Sequence, residues 1–103
     1  MRLKSKGDPP WTIRYSEIFE TGFYANQKRH FRLIQVLLAL ELALHADPRS
    51  CGEPHLTYPG NAEMWVAYIP AIATAPSVRV LYQVVGEDEG YVTLWSISLG
   101  KDD

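Results

Sequence analysis

The sequence predicts an α+β domain in which two N-terminal helices pack on one face of a small antiparallel sheet, in the order β-α-α-β-β-β. Three observations carry that expectation. Residues 26–45 hold a long run of good helix formers with neither glycine nor proline. Residues 78–86 and 91–99 alternate as strands do, on either side of the acidic Glu87, Asp88 and Glu89. The chain has 103 residues, enough for one core and too few for two, so residues 1–103 are expected to form a single domain.

Residues 1–10 are polar, end in Pro9 and Pro10, and are expected to be flexible. Trp11, Ile13 and Tyr15 then alternate with Thr12 and Arg14, the period of a short strand. Ser16 is placed to cap a helix whose first turn carries Glu17 and Glu20 at the positive end of the dipole, and Gly22 is expected to shorten or bend it. On the long helix, a step of roughly 100° per residue puts Leu33, Leu37, Leu40 and Leu44 on one stripe and Phe31, Ile34, Leu38 and Leu42 on a second. His30 and Glu41 fall between the stripes. Lys28, Arg32, Gln35, Ala39 and Ala43 take the remaining side, the only one that reads as built for water. The first stripe should cover the sheet; the second needs the first helix or a second protein.

Residues 47–60 are rich in proline, glycine, serine and charge and read as the loop from helix to sheet. Strand character returns at 64–69 and breaks over 70–76. Further on, Val78, Val80, Tyr82 and Val84 form one face of a strand, while Arg79 shares the other with Leu81 and Gln83. Trp11, Trp65 and Trp95 could stack on bases, but each falls in a strand and is expected in the core, as is Tyr82. Helices confined to one face leave the opposite face of the sheet for a substrate.

Ten Lys and Arg against twelve Asp and Glu give a net charge of −2, so no global field draws the chain to a phosphate backbone and any nucleic-acid contact must be a local patch. The single cysteine, Cys51, has no internal disulfide partner, and residues 1–10 lack the pattern of a signal peptide, so a cytoplasmic location is expected. The apolar stretch 33–44, broken by Gln35 and Glu41, is too short for a bilayer, and no membrane partner is expected. His45, Cys51 and His55 match no common zinc spacing and no fourth ligand is evident, so no metal or cofactor is expected. Glycine-rich phosphate loops, paired-histidine zinc motifs and nucleophile elbows are missing from the sequence.

Arg79, Tyr82 and Val84 make an Arg-x-x-Tyr-x-Val strand, and the next strand closes on Ile97-Ser98-Leu99-Gly100-Lys101. These residues resemble the RelE/ParE superfamily of toxin-antitoxin toxins, over roughly the last quarter of the chain. A weaker likeness covers Asp47-Pro48-Arg49 and His55-Leu56 on the way to Trp65. The resemblance implies the superfamily's α+β fold, an antitoxin as partner, and ribosome-dependent cleavage of mRNA by attack of a ribose 2′-hydroxyl on the adjacent phosphate. It implies catalytic roles for Arg79, as a cation on phosphate oxygens, and for Lys101, on the mRNA backbone.

The departures from the family pattern are equally specific. Residues 64–69 hold no cation where the RNase-type toxins place basic residues, and Asp102 and Asp103 follow Lys101 where those toxins carry an arginine and later a tyrosine. The expected catalytic set is therefore a reduced one, with Tyr68, Tyr82 or basic helix residues as substitutes. Two alternatives stay open, a non-catalytic interaction protein of the same fold and a ParE-type gyrase inhibitor. Lys28, Arg29 and Arg32, with His30 among them, form the densest basic cluster and are expected either to bind RNA or acidic antitoxin, or simply to solvate a helix start. Phe31, Ile34, Leu38 and Leu42 are the expected contact for the antitoxin.

Overall fold

The computed structural model describes residues 11–55, 63–72, 75–85 and 90–100. Five strands, β1 (Thr12–Tyr15), β2 (Glu53–Pro54), β3 (Glu63–Ile69), β4 (Val78–Val85) and β5 (Tyr91–Leu99), form one sheet in the order β1-β5-β4-β3-β2. Two helices, α1 (Glu17–Gln27) and α2 (Leu33–Ala46), follow β1, and a 3-10 turn at Pro48–Ser50 leads into β2. The α+β class and the β4–β5 hairpin are as expected. The sheet is mixed rather than antiparallel, because β1 runs parallel to β5 while β2–β3, β3–β4 and β4–β5 are antiparallel. No hairpin dictates the direction of β1: the chain passes through both helices and three strands before β5 forms, a connection long enough for a parallel pair. The order also gains a strand, since β2 lies in the stretch read as loop.

Ser16 caps α1 as expected, its Oγ accepting from Phe19 N at 3.0 Å. The helix does not stop or shorten at Gly22. It runs on to Gln27, because the glycine lies against β5, where a Cβ would meet Ile97 Cγ2 at 3.4 Å. Asn26 ends α1 instead: its amide donates to Gly22 O at 2.8 Å, and its carbonyl accepts from Arg29 N and His30 N. The helix expected from residue 26 therefore begins only at Leu33. Lys28 is the C-cap of α1 and Arg32 the N-cap of α2, so the two are not one turn apart on a single helix. Helix propensity missed this break because neither glycine nor proline marks it.

The core lies between the helices and one sheet face. Leu33, Leu37, Leu40 and Leu44 are all buried, together with Phe19 and Phe23 of α1 and Val78, Val80, Tyr82, Val84, Val92 and Leu94 of the sheet. Tyr82 is fully buried, and its hydroxyl donates to Pro48 O at 2.7 Å, which pins the 3-10 turn to β4. Burial is the main reason its phenol is pushed far up, so it remains a protonated donor. Trp11 N donates to His45 O at 3.0 Å, and His45 Nδ1 donates back to the Trp11 carbonyl, tying the start of β1 to the end of α2. Glu63 accepts from Arg49 Nε at 2.7 Å and Nη2 at 3.0 Å, and from Trp65 Nε1 at 2.8 Å.

The seam between β1 and α1 is fixed on β5. Ser16 N donates to Leu94 O at 2.9 Å and Ser16 Oγ donates to Trp95 O at 2.7 Å, while the same oxygen caps α1. Ser16→Ala removes the cap and the Trp95 bond together and should cost about 1–2 kcal/mol in urea unfolding, with Ser16→Thr retaining most of it. The Glu63 carboxyl is held below its ordinary value of 4.5, chiefly by hydrogen bonding to Arg49 and against the opposing effect of burial. A carboxyl that ionises more readily in the folded state adds stability above its unfolded value, and that stability is lost as the pH falls through the folded value. The gap in stability between wild type and Glu63→Gln should be full at neutral pH, shrink below about 4.5 and close in stronger acid, measured by denaturant titration across that range.

Candidate functional site

The helix-free face of the sheet carries an open groove of about 680 Å³ at its β2–β3 edge. It is built from the turn upward. Asp47 Oδ1 accepts from Arg49 N at 3.1 Å and starts the 3-10 turn, while Ser50 Oγ and Cys51 Sγ both donate to Asp47 O. Gly52 then passes directly over β3: a Cβ there would lie 2.2 Å from Val66 O, so only glycine fits. This close approach lets Glu53 and Pro54 pair with Val66 and Trp65, and His55 N donates to Met64 O at 2.9 Å. Tyr68 stands directly opposite Arg79 across the β3–β4 ladder, and both side chains are exposed. The groove is lined by these two residues together with Ser50, Cys51, Glu53, His55 and Val66.

The arrangement brings a guanidinium fork suited to phosphate oxygens beside a phenol and an imidazole, two groups that accept and donate protons. Cys51 is held toward its neutral thiol here. Burial, and then the neighbouring Asp47, push its thiol up and away from the thiolate. Among the described residues, no group of three His, Cys, Asp or Glu side chains is placed to hold a metal ion. Among the described residues, no helix is long and apolar enough to cross a membrane.

The predicted residues separate. Arg79 is in the groove on the face shared with Leu81 and Gln83, as its strand period requires. Lys101 lies outside the described residues. Lys28 and Arg29 are exposed on the connection between the helices, and none of the three basic residues lines the Arg79 groove. Arg32 is half-buried, with its guanidinium 5.3 Å from the Phe31 ring and Nη1 donating to Gln35 Oε1 at 3.3 Å. It lines a different groove of about 550 Å³, walled mainly by Val36, Ala39, Ala43, Ile69 and Ile72. The side of α2 read as built for water therefore borders an apolar furrow.

Phe31, Ile34, Leu38 and Leu42 are 75%, 36%, 52% and 73% exposed, so the first helix does not cover the second stripe. Glu41 lies beside that stripe in the cleft between α1 and α2, where one of its carboxylate oxygens is buried without a partner and burial pushes its carboxyl up. Two groove residues escaped the sequence reading in part. In the sequence, His55 has a place in the metal set and in the weaker family likeness but no proton-exchanging role, and Glu53 has none, since nothing in residues 47–60 signals that the chain folds back onto β3. Trp95, expected in the core, is on the helix-free face.

No protein-family model, curated protein or solved structure matches this chain. The site is therefore defined by its own geometry. Since Arg79 and Tyr68 are exposed, Arg79→Ala and Tyr68→Phe should each change unfolding free energy by no more than about 0.5 kcal/mol. Tyr82→Phe, which orphans the Pro48 carbonyl, should cost about 1–2 kcal/mol in the same denaturant titration.

Proposed function

We propose that the chain is a RelE/ParE-like toxin of a toxin-antitoxin pair that inhibits translation by ribosome-dependent cleavage of mRNA. The observation that carries this reading is the groove on the helix-free face, which gathers Arg79, Tyr68 and His55. Cleavage by an internal 2′-hydroxyl needs a fixed cation where charge builds on phosphorus, a group to take the hydroxyl proton and a group to protonate the leaving oxygen. Arg79 serves as the cation, and Tyr68 and His55 are the proton-exchanging groups within the same groove. Tyr82, buried and bonded to Pro48, takes no part. The exposed Phe31, Ile34, Leu38 and Leu42 form the surface for the antitoxin, which covers apolar area at roughly 25 cal/mol per Å².

One observation favours a second reading. Arg79 is the only Lys or Arg among the described residues lining the groove, as in a toxin fold that retains partner binding without catalysis. Expression in a bacterial host separates the two. The toxin reading expects growth arrest relieved by an antitoxin encoded nearby, and new mRNA ends inside translated codons. Cleavage should fall by about a hundredfold in Arg79→Ala. Normal growth from folded protein would establish the non-catalytic module, and arrest with DNA damage but intact mRNA would move the target to gyrase.

A further inference from the structure

The sheet has a feature that the groove does not use. Pairing between β4 and β5 steps from Leu81–Ser96 to Tyr82–Leu94, so Trp95 is the extra residue of a β-bulge. Trp95 stays on the helix-free face with Tyr91 and Thr93, 39% exposed, while the bulge brings Ile97 and Leu99 beyond it back to the core side. Its indole is held in place: Nε1 donates to Gln83 Oε1 at 3.0 Å, and the backbone carbonyl of Trp95 accepts from Ser16 Oγ. Register sets the neighbours. Tyr68 and Arg79 form one cross-strand row and Gln83, Thr93 and Arg14 another, while Tyr91 underlies the Arg14 guanidinium at 3.9 Å.

The face therefore presents Arg14, Trp95, Arg79 and Tyr68 on the successive strands β1, β5, β4 and β3, so that cations and exposed rings alternate. By strand spacing and rise the rings stand roughly 13 Å apart, so they address non-adjacent bases. Charge on this face opposes that of the chain. Its described ionic groups are Arg14 and Arg79 with Glu53 alone at the margin, whereas the remaining described carboxylates belong to α1, α2, the 3-10 turn and the helix-covered side of β3. Aromatic faces interleaved with cations suit a single strand, whose bases stack and whose phosphates meet guanidinium groups. A protein partner would be better served by the broad apolar stripe on α2.

From these features we infer that the helix-free face is a single-stranded RNA platform. Trp95 and Tyr68 stack on bases, Arg79 holds the phosphates between them, and Arg14 holds those beyond Trp95. The choice of RNA over DNA rests on the proposed function; the stacking role of Trp95 and the phosphate role of Arg14 rest on the exposed, anchored indole and the charge of the face.

The test is tryptophan fluorescence of the full chain titrated with a short oligouridylate, beside anisotropy of the same oligomer carrying a dye. Wild type should show saturable quenching that disappears in Trp95→Phe, where Trp11 and Trp65 report no contact. Trp95→Ala should weaken binding about tenfold by anisotropy. Arg14→Ala should weaken it and lower the salt dependence by about one counterion. Unchanged quenching in Trp95→Phe, or unchanged affinity in Trp95→Ala with the fold intact by circular dichroism, would overturn the platform. Equal affinity for an oligothymidylate would overturn its assignment to RNA. Because no ribosome is present, quenching without growth arrest would count against the toxin reading alone, and arrest without quenching against the platform alone.

Discussion

A four-residue strand has too few ladder bonds to hold itself to a sheet, yet β1 seats the only parallel pairing in this protein's described sheet and sets where α1 begins. What secures it is one serine at its end. Ser16 bonds β5 through both backbone and hydroxyl, and the same hydroxyl oxygen satisfies a free amide of α1. The strand, the bulge and the helix are thereby fixed to one another at a single point. The angle at which α1 crosses the sheet follows, and with it the packing of Phe19 and Phe23 that supports α2.

Two surfaces with different chemistry result. Over the helices the outer side of α2 is apolar and exposed, which an isolated helix in water does not sustain without loss of solubility. The sheet's free side is polar and aromatic, with Arg79 on the interior strand β4 and Arg14 on the edge strand β1. The core separates them, so binding on one side need not exclude binding on the other. A partner that silences the sheet face would have to reach around the β2 edge, where the apolar furrow and the Arg79 groove share Ser50 and Cys51.

Much of this architecture was legible in the residues. Alternation placed Val78, Val80, Tyr82 and Val84 inward and Arg79 outward, and helical spacing separated the buried leucines of α2 from the exposed ones. What stayed hidden were departures from periodicity. Asn26 ends α1 through hydrogen bonds that no composition rule registers. A bulge at Trp95 resets the alternation within β5, so that Leu94 and Ile97 both face the helices. Gly52 looked like a loop residue and is instead the contact that lets β2 form. The groove shared that obscurity: Arg79 followed from strand period, but His55 and Glu53 reach it only through a tertiary contact.

The position of β5 has a consequence for synthesis. It follows every other strand in chain order, yet it is the one to which both β1 and β4 are hydrogen-bonded. Until it is made, β1 has no partner and the two helices have no complete sheet to cover. A nascent chain therefore carries α2 with both apolar stripes exposed while residues 47–99 are made, when aggregation or capture by a chaperone competes with folding. A binding partner present at that stage could take hold of the outer stripe before the sheet has closed.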